Sequence, residues 1–321
     1  MKYKPAPIKL KDIDINDTGF KITTRSSIED LLPSIIDHGI INPPIIAKKT
    51  QGAYLIVSGF RRIADCIHLD INEIDARIIE TDETPPLDII KIAICDNTMQ
   101  RQLNLVEESN ALNLLSECID DETELARISD SLGLPGNVSA IRKIRRLSSL
   151  PEEVQKAVAG GRISLVIAME LGTIEKEAAI YSARLFETLK IGLNKQREVL
   201  CNLMDIAKRE DITIMDIFSD SIFKGLIDDA GGDTANKRHA VRNYLRVRRL
   251  PEISKAEKTF KNRLSELKLK NSIKLLPPKS FEGEQFELIF RFKDLTDLKY
   301  YNDEVTRMID HPAMMDILLK Q

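Results

Sequence analysis

The sequence has no tryptophan, and aromatic residues make up only 5% of its 321 residues. Proteins that bind single-stranded nucleic acid without sequence preference stack bases on aromatic side chains, so this composition argues against that class. The formal net charge of −3 gives no overall signal for nucleic-acid binding either. The chain is long enough for two or three domains with well-formed cores.

Cysteine and histidine are also scarce, with four of each. The cysteines form no Cys-x-x-Cys pair and, with the scattered histidines, offer no zinc-binding spacing. We expect them to be buried, reduced thiols of a cytosolic protein (Cys66, Cys95, Cys118 and Cys201). No apolar run approaches the length of a membrane span, and the first residues lack the apolar core of a signal peptide. We therefore expect a soluble, cytoplasmic chain with no membrane partner.

The most informative stretch covers residues 54–64, Tyr-Leu-Ile-Val-Ser-Gly-Phe-Arg-Arg-Ile-Ala. Its first four residues predict a strand that stops at Ser58 and Gly59, and Arg61 and Arg62 then open an amphipathic run that predicts a helix. A strand that leads through a small-residue turn into a helix presents free backbone N–H groups and the positive end of the helix dipole. Two guanidiniums beside it favour a phosphate. The alternative is that the arginines are only the solvated start of a helix.

Two further segments flank this stretch. Residues 39–46, Gly-Ile-Ile-Asn-Pro-Pro-Ile-Ile, predict a helix stop followed by an extended apolar run, and residues 96–101, Asp-Asn-Thr-Met-Gln-Arg, end a helix that begins near Leu87. Each also has a simpler interpretation. Gly39 is explained by a helix C-cap, Pro43 by a rigid loop, and residues 96–97 by an N-cap.

The order, spacing and content of the three segments resemble the N-terminal domain of the ParB family of chromosome and plasmid partition proteins. In that family the boxes usually read Gly-x-x-x-Pro, Gly-Glu-Arg-Arg and Glu-Asn-x-Gln-Arg. The resemblance implies a ParB/sulfiredoxin-like α/β domain that binds CTP with Mg²⁺ in a protein that works as a DNA-loading clamp. It implies nucleotide contacts for the matching residues: Gly39, Pro43, Ser58, Gly59, Phe60, Arg61, Arg62, Asn97, Gln100 and Arg101.

The resemblance also implies that Asp96 and Asn97 lie near the metal. Asp96 is one methylene shorter than the family's usual glutamate, but it offers the hard oxygen ligand that Mg²⁺ prefers. The main departure is Phe60, which stands where the family usually has glutamate. Because phenylalanine cannot bind a metal or orient a water, the resemblance implies binding more strongly than catalysis, and at most a weak CTPase.

The next region predicts a helix-turn-helix. Apolar periodicity predicts helices over 106–119, 122–132 and 138–147, and a turn containing Gly133 separates the last two. The second helix of such a pair usually enters the major groove of DNA. Its polar and basic residues are the candidate DNA contacts: Asn137, Ser139, Arg142, Lys143, Arg145 and Arg146. A bundle corner with a solvated basic face remains the alternative, although the ParB resemblance covers roughly residues 8–173.

The rest of the chain gives weaker signals. Helices are predicted over 175–190, 194–208 and 212–223, with a short strand as the alternative for 212–214, and a linker over 228–233. From residue 237 to 274 there are 13 Lys and Arg against three Glu. An apolar stripe of Val241, Tyr244, Leu245 and Val247 runs through this basic stretch. Both a solvated face and a surface that contacts duplex DNA fit such a pattern.

The last 50 residues predict strands over 272–276 and 287–292, followed by helices over 294–309 and 313–319. This is small for an independent core, so self-association into a homodimer is the expectation, by analogy with the family.

We therefore predict an α+β chain in five parts: a ParB-like nucleotide-binding domain (1–103), an all-α helix-turn-helix domain (104–175), a helical extension (176–232), a basic helical segment (233–271) and a small α+β segment (272–321). The expected function is nucleotide-gated binding of double-stranded DNA in plasmid or chromosome partition, or in related transcriptional control. A partition ATPase is a further candidate partner, and the expected location is the cytoplasm, at the nucleoid.

Two alternatives stay open at this point. One is an enzyme on the same fold, a nucleotide-dependent kinase or a nuclease. The other is a DNA-binding adaptor whose nucleotide pocket is vestigial, which Phe60 favours. A sulfinic-acid reductase is a poor fit, because Ser58-Gly59-Phe60 offers no cysteine beside the turn.

Overall fold

A computed structural model describes residues 3–24, 32–49, 52–228, 232–270, 272–281 and 283–319. The chain divides into two compact units, residues 1–197 and 198–321. The five-part division predicted from the sequence is finer than this, and its boundaries stay predictions.

A five-stranded sheet forms the N-terminal part of the first unit. Its strands are β1 (Lys4–Lys9), β2 (Ile13–Asp14), β3 (Ile45–Lys48), β4 (Tyr54–Ser58) and β5 (Glu73–Glu80), in the order β1-β5-β3-β4-β2. β3 lies parallel to β5 and antiparallel to β4. The expected α/β domain is therefore observed.

Three helices accompany the sheet: α1 (Leu32–His38), α2 (Phe60–His68) and α3 (Pro86–Thr98). Ile35 of α1 and Ile63 of α2 are buried in one cluster with Ile46 and Ile56 of the central strands. α3 contacts β4. The ends of β4 and α3 and the start of α2 are thus held by packing on a common sheet.

Helices make up the remainder of the first unit: α4 (Leu105–Ser116), α5 (Glu122–Ser131), α6 (Val138–Arg145), α7 (Glu152–Ala159), α8 (Leu165–Leu171) and α9 (Lys176–Thr188). Their starts follow ordinary capping chemistry, since the side chains of Asn104, Asp121 and Asn137 each accept a backbone N–H of the first turn. Gly133, with φ +76°, ends the turn after α5 in the left-handed conformation that glycine adopts freely. The predicted helices of the helix-turn-helix are confirmed to within two or three residues at each end.

α10 (Leu193–Glu210) carries the chain from the first unit into the second. The second unit then contains α11 (Ile214–Ser219), α12 (Ser221–Asp228), α13 (Thr234–Arg249), α14 (Pro251–Glu266), β6 (Ile273–Leu276), β7 (Glu287–Phe290), α15 (Leu295–Ile309) and α16 (Pro312–Leu319). β6 and β7 form an antiparallel pair. Among the residues described in these last elements, buried apolar residues form only small clusters, such as that around Leu267, Leu275 and Ile317.

Several sequence expectations need correction. Residues 212–214 do not begin a strand, because the Thr213 side chain caps α11. The single helix predicted over 212–223 is broken at Asp220, whose backbone is extended. Val247 is 42% exposed and lies outside the apolar face of α13. Of the predicted linker over 228–233, residues 229–231 lie outside the described residues.

The thiol prediction holds only in part. Cys66 is buried and Cys95 half-buried, whereas Cys118 and Cys201 are exposed. Across the residues described, no helix has the length and apolar content needed to cross a membrane.

Candidate nucleotide pocket and DNA-binding helix

The predicted strand–turn–helix is present at residues 54–68. β4 ends at Ser58, and Gly59 turns the chain with φ +98° before α2 begins at Phe60. A Cβ at Gly59 would come within 2.7 Å of the Pro44 side chain, so the close approach of the two loops requires glycine here. Arg61 and Arg62 fall in the first turn of α2, where the free N–H groups and the helix dipole favour an anion.

A cavity of about 300 Å³ opens at this turn. It is lined by Ile22, Thr23, Ser58, Gly59, Phe60, Arg61, Arg62, Asn97, Gln100 and Arg101. The structure thus brings together eight of the ten residues predicted to contact a nucleotide. Three of the lining residues are arginines and none is a carboxylate, which makes the cavity suited to a multiply charged anion.

Two predicted nucleotide contacts lie outside this lining. Gly39 ends α1, donating its N–H to Ile35 O at 2.9 Å, with φ +71°. In the structure Gly39 serves as a helix C-cap, and its contact with a nucleotide stays a prediction. Pro43 contacts a residue of the lining, because its carbonyl accepts a hydrogen bond from Arg62 Nη1 at 3.3 Å.

Ile22 and Thr23 line the cavity but were not predicted. They belong to the loop between β2 and α1, and no local sequence pattern distinguishes them. Their approach to the cavity depends on the tertiary fold.

Arg62 forms an ion pair with Asp96, which lies outside the lining of the cavity. Its Nη2 lies 3.3 Å from Asp96 Oδ2, and the same oxygen accepts the Ser58 hydroxyl. Arg62 Nη1 also donates to the carbonyl of Asn42. Burial lowers the pKa of Arg62, and the neighbouring Asp96 opposes that shift. Asp96 therefore fixes the direction of the Arg62 guanidinium.

The predicted metal ligands do not fit a Mg²⁺ site as they stand. Asp96 Oδ2 is engaged by Ser58 and Arg62, and Asn97 Nδ2 donates to Ala93 O at 2.8 Å. Asp96 is not among the residues that line the cavity. No group of three or more acidic, histidine or cysteine residues that could hold a metal occurs in the part of the chain that the structure describes.

Arg101 forms the second charged contact behind the cavity. Its guanidinium binds the fully buried carboxylate of Glu107 with two bonds, Nη1 to Oε2 at 2.5 Å and Nη2 to Oε1 at 2.7 Å. The backbone N–H groups of Thr24 and Asn104 donate to the same carboxylate at 3.0 and 3.1 Å. Burial raises the pKa of Glu107, but these hydrogen bonds outweigh it and hold the pKa below its ordinary value.

Glu107 was missed from the sequence, although a signal existed. Asn104-x-x-Glu107 is a capping-box pattern at the start of α4, and the structure forms that box. In addition, two residues separate Asn97 from Gln100, so this box is one residue longer than the family pattern Glu-Asn-x-Gln-Arg.

The Phe60 side chain contacts both the cavity and the apolar core. Its side chain lines the cavity, yet it also packs against the apolar cluster under the sheet. The ring therefore contributes to the core as well as to the cavity wall.

The helix-turn-helix presents fewer basic side chains than expected. Ser139, Lys143 and Arg146 are exposed on or just after α6. Arg142 is exposed too, but it pairs with Glu122, with Nε at 2.7 Å from Oε1. Asn137 Oδ1 accepts Ala140 N–H at 3.0 Å, so this oxygen caps the helix.

Arg145, one of the predicted DNA contacts, forms hydrogen bonds with α4 in the structure. Its Nε donates to Asn113 Oδ1 at 2.9 Å and its Nη2 to Ser116 Oγ at 2.7 Å, both on α4. The reason is helical geometry, since Arg145 adjoins the buried Ile141 and Ile144 and so lies at the edge of the packed face. Arg145 ties α6 to α4.

Residues 7–98 match the ParB N-terminal domain family. This part of the chain contains strands β2 to β5, the second half of β1 and the cavity-lining residues up to Asn97, and it is similar to the ParB N-terminal domain.

Among similar proteins, the nucleoid occlusion protein of Listeria monocytogenes serotype 4b (strain CLIP80459) is 31% identical over 153 residues, 48% of this chain and 51% of that protein. The probable chromosome-partitioning protein ParB of Treponema pallidum (strain Nichols) is 30% identical over 140 residues, 44% of this chain and 41% of that protein. The chain thus spans about half the length of the curated relatives it matches.

Two solved structures are similar at lower identity. A C-terminally truncated ParB from Caulobacter crescentus, complexed with CTP-gamma-S, matches with 23% identity and a TM-score of 0.27, covering 56% of this chain and 97% of that chain. A Pnob8-like ParB-N domain matches with 16% identity and a TM-score of 0.40, covering 62% of this chain and 93% of that chain.

Proposed function

We propose that this chain is a ParB-type protein that binds duplex DNA through α6 and a nucleoside triphosphate, CTP, in the cavity at the start of α2. The observation that carries the proposal is the cavity itself, with three arginines and no carboxylate among its lining residues. A triphosphate supplies the several negative charges that such a lining favours. The choice of CTP follows from the resemblance to ParB proteins.

The contacts behind the cavity offer a route between the two sites. Arg101 lines the cavity and binds Glu107 at the start of α4, while Asn113 and Ser116 further along α4 bind Arg145 of α6. A triphosphate that draws Arg101 toward the cavity weakens its bonds to Glu107 and so changes what α4 presents to α6. Nucleotide and DNA are then coupled through one helix, provided that each binds its two arrangements with different affinity.

The side chains best placed for DNA lie on α6 or just after it: Ser139, Lys143 and Arg146. Lys143 and Arg146 would neutralise phosphates, and Ser139 lies in the first turn, which is the part of a recognition helix that approaches the bases. Arg142 would have to exchange its pair with Glu122 for a phosphate.

The biological setting belongs to the same proposal. The names of the similar proteins, nucleoid occlusion protein and chromosome-partitioning protein ParB, support a role in partition or another process at the nucleoid, with a cytoplasmic location. Self-association into a dimer is supported by exposed apolar side chains near the C-terminus: Phe292, Leu295, Leu298, Ile309, Met315 and Leu318. A partition ATPase is a further proposed partner.

Mg²⁺, if required, would enter with the triphosphate, because Asp96 is already engaged by Ser58 and Arg62. For the same reason, and because no lining residue is a carboxylate that could act as a general base, a kinase or nuclease fits the cavity less well than a binding site does.

The test is isothermal titration of the full chain with CTP, ATP and GTP, with and without duplex DNA. Selective binding of CTP that DNA strengthens is the expected result, and Arg61→Ala should weaken it by about a hundredfold, since a charged hydrogen-bonding group is lost. Arg184→Ala, an exposed arginine outside the cavity, is the control. Binding of ATP alone would contradict the proposal and favour the kinase-like enzyme.

The second candidate function is a DNA-binding adaptor with a vestigial pocket. Phe60 favours it, because an aromatic ring stands in the phosphate turn. DNA binding without any nucleotide binding in the same titrations would establish this alternative.

A further inference from the structure

One basic side chain of the proposed DNA-binding helix is engaged by an acid of the helix before it. Arg142, in the last turn of α6, donates through Nε to Glu122 Oε1 at 2.7 Å and through Nη2 to Oε2 of the same carboxylate. Glu122 lies in the first turn of α5, so the pair joins the two helices of the helix-turn-helix. The hydrogen bond from Arg142 lowers the pKa of Glu122, and the carboxylate is therefore ionised at neutral pH.

Arg142 shares a face of α6 with the side chains proposed to contact DNA. Ser139, Arg142, Lys143 and Arg146 are all exposed, and they follow one another at the spacing of neighbours on one side of a helix. Across the residues that the structure describes, neither Lys143 nor Arg146 forms an ion pair. Arg142 is therefore the basic member of this face whose charge is already matched by an acid.

The Glu122 carboxylate offers Arg142 the two acceptors that an arginine otherwise finds in a phosphate group or at the edge of a guanine. It therefore competes with DNA for the same guanidinium. The pair is open to solvent, since 65% of the Arg142 side chain and 44% of the Glu122 side chain are exposed. Because an exposed ion pair is weak in water, DNA can displace the carboxylate. The displacement breaks the pair and leaves an unpaired negative charge close to the phosphates.

We propose that Glu122 is an autoinhibitory residue that withholds Arg142 from the phosphate backbone of generic duplex DNA. This inference rests on the proposed function, because it requires α6 to face DNA. A bond from Arg142 to one phosphate only replaces its bond to Glu122, so generic contact gains nothing from this arginine. A site that offers Arg142 better-placed acceptors still gains from it. The pair thus widens the difference in affinity between a preferred site and generic duplex.

Glu124 provides a matched control on the same helix. It too lies in the first turn of α5, its side chain is also 44% exposed, and it pairs with an arginine, Arg127. Arg127 belongs to α5 itself, three residues further along. Glu124→Gln therefore removes one negative charge and frees one arginine, as Glu122→Gln does, but the arginine that it frees is not on α6.

The experiment is fluorescence anisotropy of the full chain with a short generic duplex across a series of salt concentrations. Glu122→Gln should add one phosphate contact, which steepens the slope of log K against log salt by about 0.9. At a salt concentration of about 0.1 M, binding should tighten about fivefold to tenfold. Glu124→Gln should change both quantities much less. Circular dichroism checks that both variants remain folded.

Arg142→Gln completes a double-mutant cycle. In this background the gain from Glu122→Gln should disappear, because the guanidinium that it would free is absent. A gain that persisted without Arg142, or an equal gain in Glu124→Gln, would overturn the proposal, since either would show an effect of overall charge. Weaker binding by Glu122→Gln would overturn it too. The pair would then support the fold of the helix-turn-helix instead of inhibiting its contact with DNA.

Lys143→Ala/Arg146→Ala separates a failure of this inference from a failure of the proposed function. If that variant flattens the salt slope while Glu122→Gln leaves it unchanged, α6 faces DNA and only the autoinhibition is wrong. If neither variant changes the slope, α6 does not face DNA, and the proposed role of α6 fails together with the inference.

Discussion

Arginines in two regions of this molecule pair with carboxylates, and in one of these regions they also line a cavity. On α13, Arg242, Arg246, Arg248 and Arg249 each meet a carboxylate. At the N-terminal cavity Arg62 and Arg101 also pair with carboxylates, those of Asp96 and Glu107, but neither acid lines the cavity. An anion site is therefore recognised by a lining that contains arginines and no carboxylate. Counting basic residues along the sequence does not locate such a site.

The arginines of the cavity are held in place by carboxylates that do not line it. Of these carboxylates, Glu107 is expected to give the largest effect when it is substituted. Glu107→Gln removes one partner of a buried pair, so we expect the free energy of unfolding to fall by about 3 kcal/mol. Urea denaturation followed by circular dichroism measures it. Because hydrogen bonds hold the pKa of Glu107 below its ordinary value, its stabilisation is present at neutral pH and is lost as the pH falls through that pKa.

The control is Glu124→Gln. Glu124 pairs with Arg127 on the surface of α5, where the Arg127 side chain is exposed and that of Glu124 is half-exposed, so little change in stability is expected. Equal losses for the two variants would mean that the Arg101–Glu107 contact is no stronger than a surface pair.

Arg145 and Arg146, at the end of α6 and just after it, allow a second comparison between a paired arginine and an exposed one. Arg145→Ala removes two hydrogen bonds to α4 and should cost about 2 kcal/mol in the free energy of unfolding. Lys143→Ala with Arg146→Ala should leave stability unchanged but reduce the salt slope of DNA binding by about two. If Arg145→Ala instead flattened the slope without destabilising the fold, Arg145 would face DNA after all.

The local sequence predicted the residues that line the cavity better than it predicted which basic side chains of α6 are exposed, for a physical reason. Residues 58–62 carry their own signals, since a β-prone run, a glycine turn and an arginine pair lie within one short stretch. Arg145 looks like its neighbour Arg146 in the sequence, and only the position of α4 separates them. Ile22 and Thr23 reach the cavity through tertiary packing, for which the chain offers no local pattern.

Tertiary contacts were equally invisible in the sequence of the basic stretch, residues 237–274. Its charge excess was visible in the sequence, but the partners of Arg242 and Arg249 lie more than 40 residues away, on α10. Pairing between distant helices decides which charges stay available, and it leaves lysines exposed where the sequence showed only a run of basic residues.

Asp96 distinguishes a positioning acid from a metal ligand. Asp96→Asn weakens the hold on Arg62, so CTP affinity should fall about tenfold, equally in Mg²⁺ and in EDTA. Titration calorimetry measures this, and Asp88→Asn, which changes a half-buried carboxylate of the same helix that pairs with Lys91, is the control. A loss seen in Mg²⁺ and absent in EDTA would assign Asp96 to the metal.

The smallest expected effect concerns Asp65, a buried acid on the same helix as the cavity arginines. Its side chain is buried, with only 1% of the residue exposed, and its Oδ2 has no hydrogen-bond partner among the residues described. Burial raises the pKa of Asp65, and Arg61 and His68 only partly oppose this. Since the folded state favours the protonated acid, Asp65 stabilises the fold most at low pH, and this contribution is lost as the pH rises through its folded-state pKa.

Asp65→Asn should therefore raise the free energy of unfolding by about 1 kcal/mol at neutral pH, with less gain in acid. Thermal unfolding across a pH series measures the gain, with the exposed Asp75→Asn on β5 as the control. A loss of stability at neutral pH would show that the attraction to Arg61 outweighs the cost of burial. In that case Asp65 would join Asp96 and Glu107 as a third acid that holds an arginine of the cavity from behind.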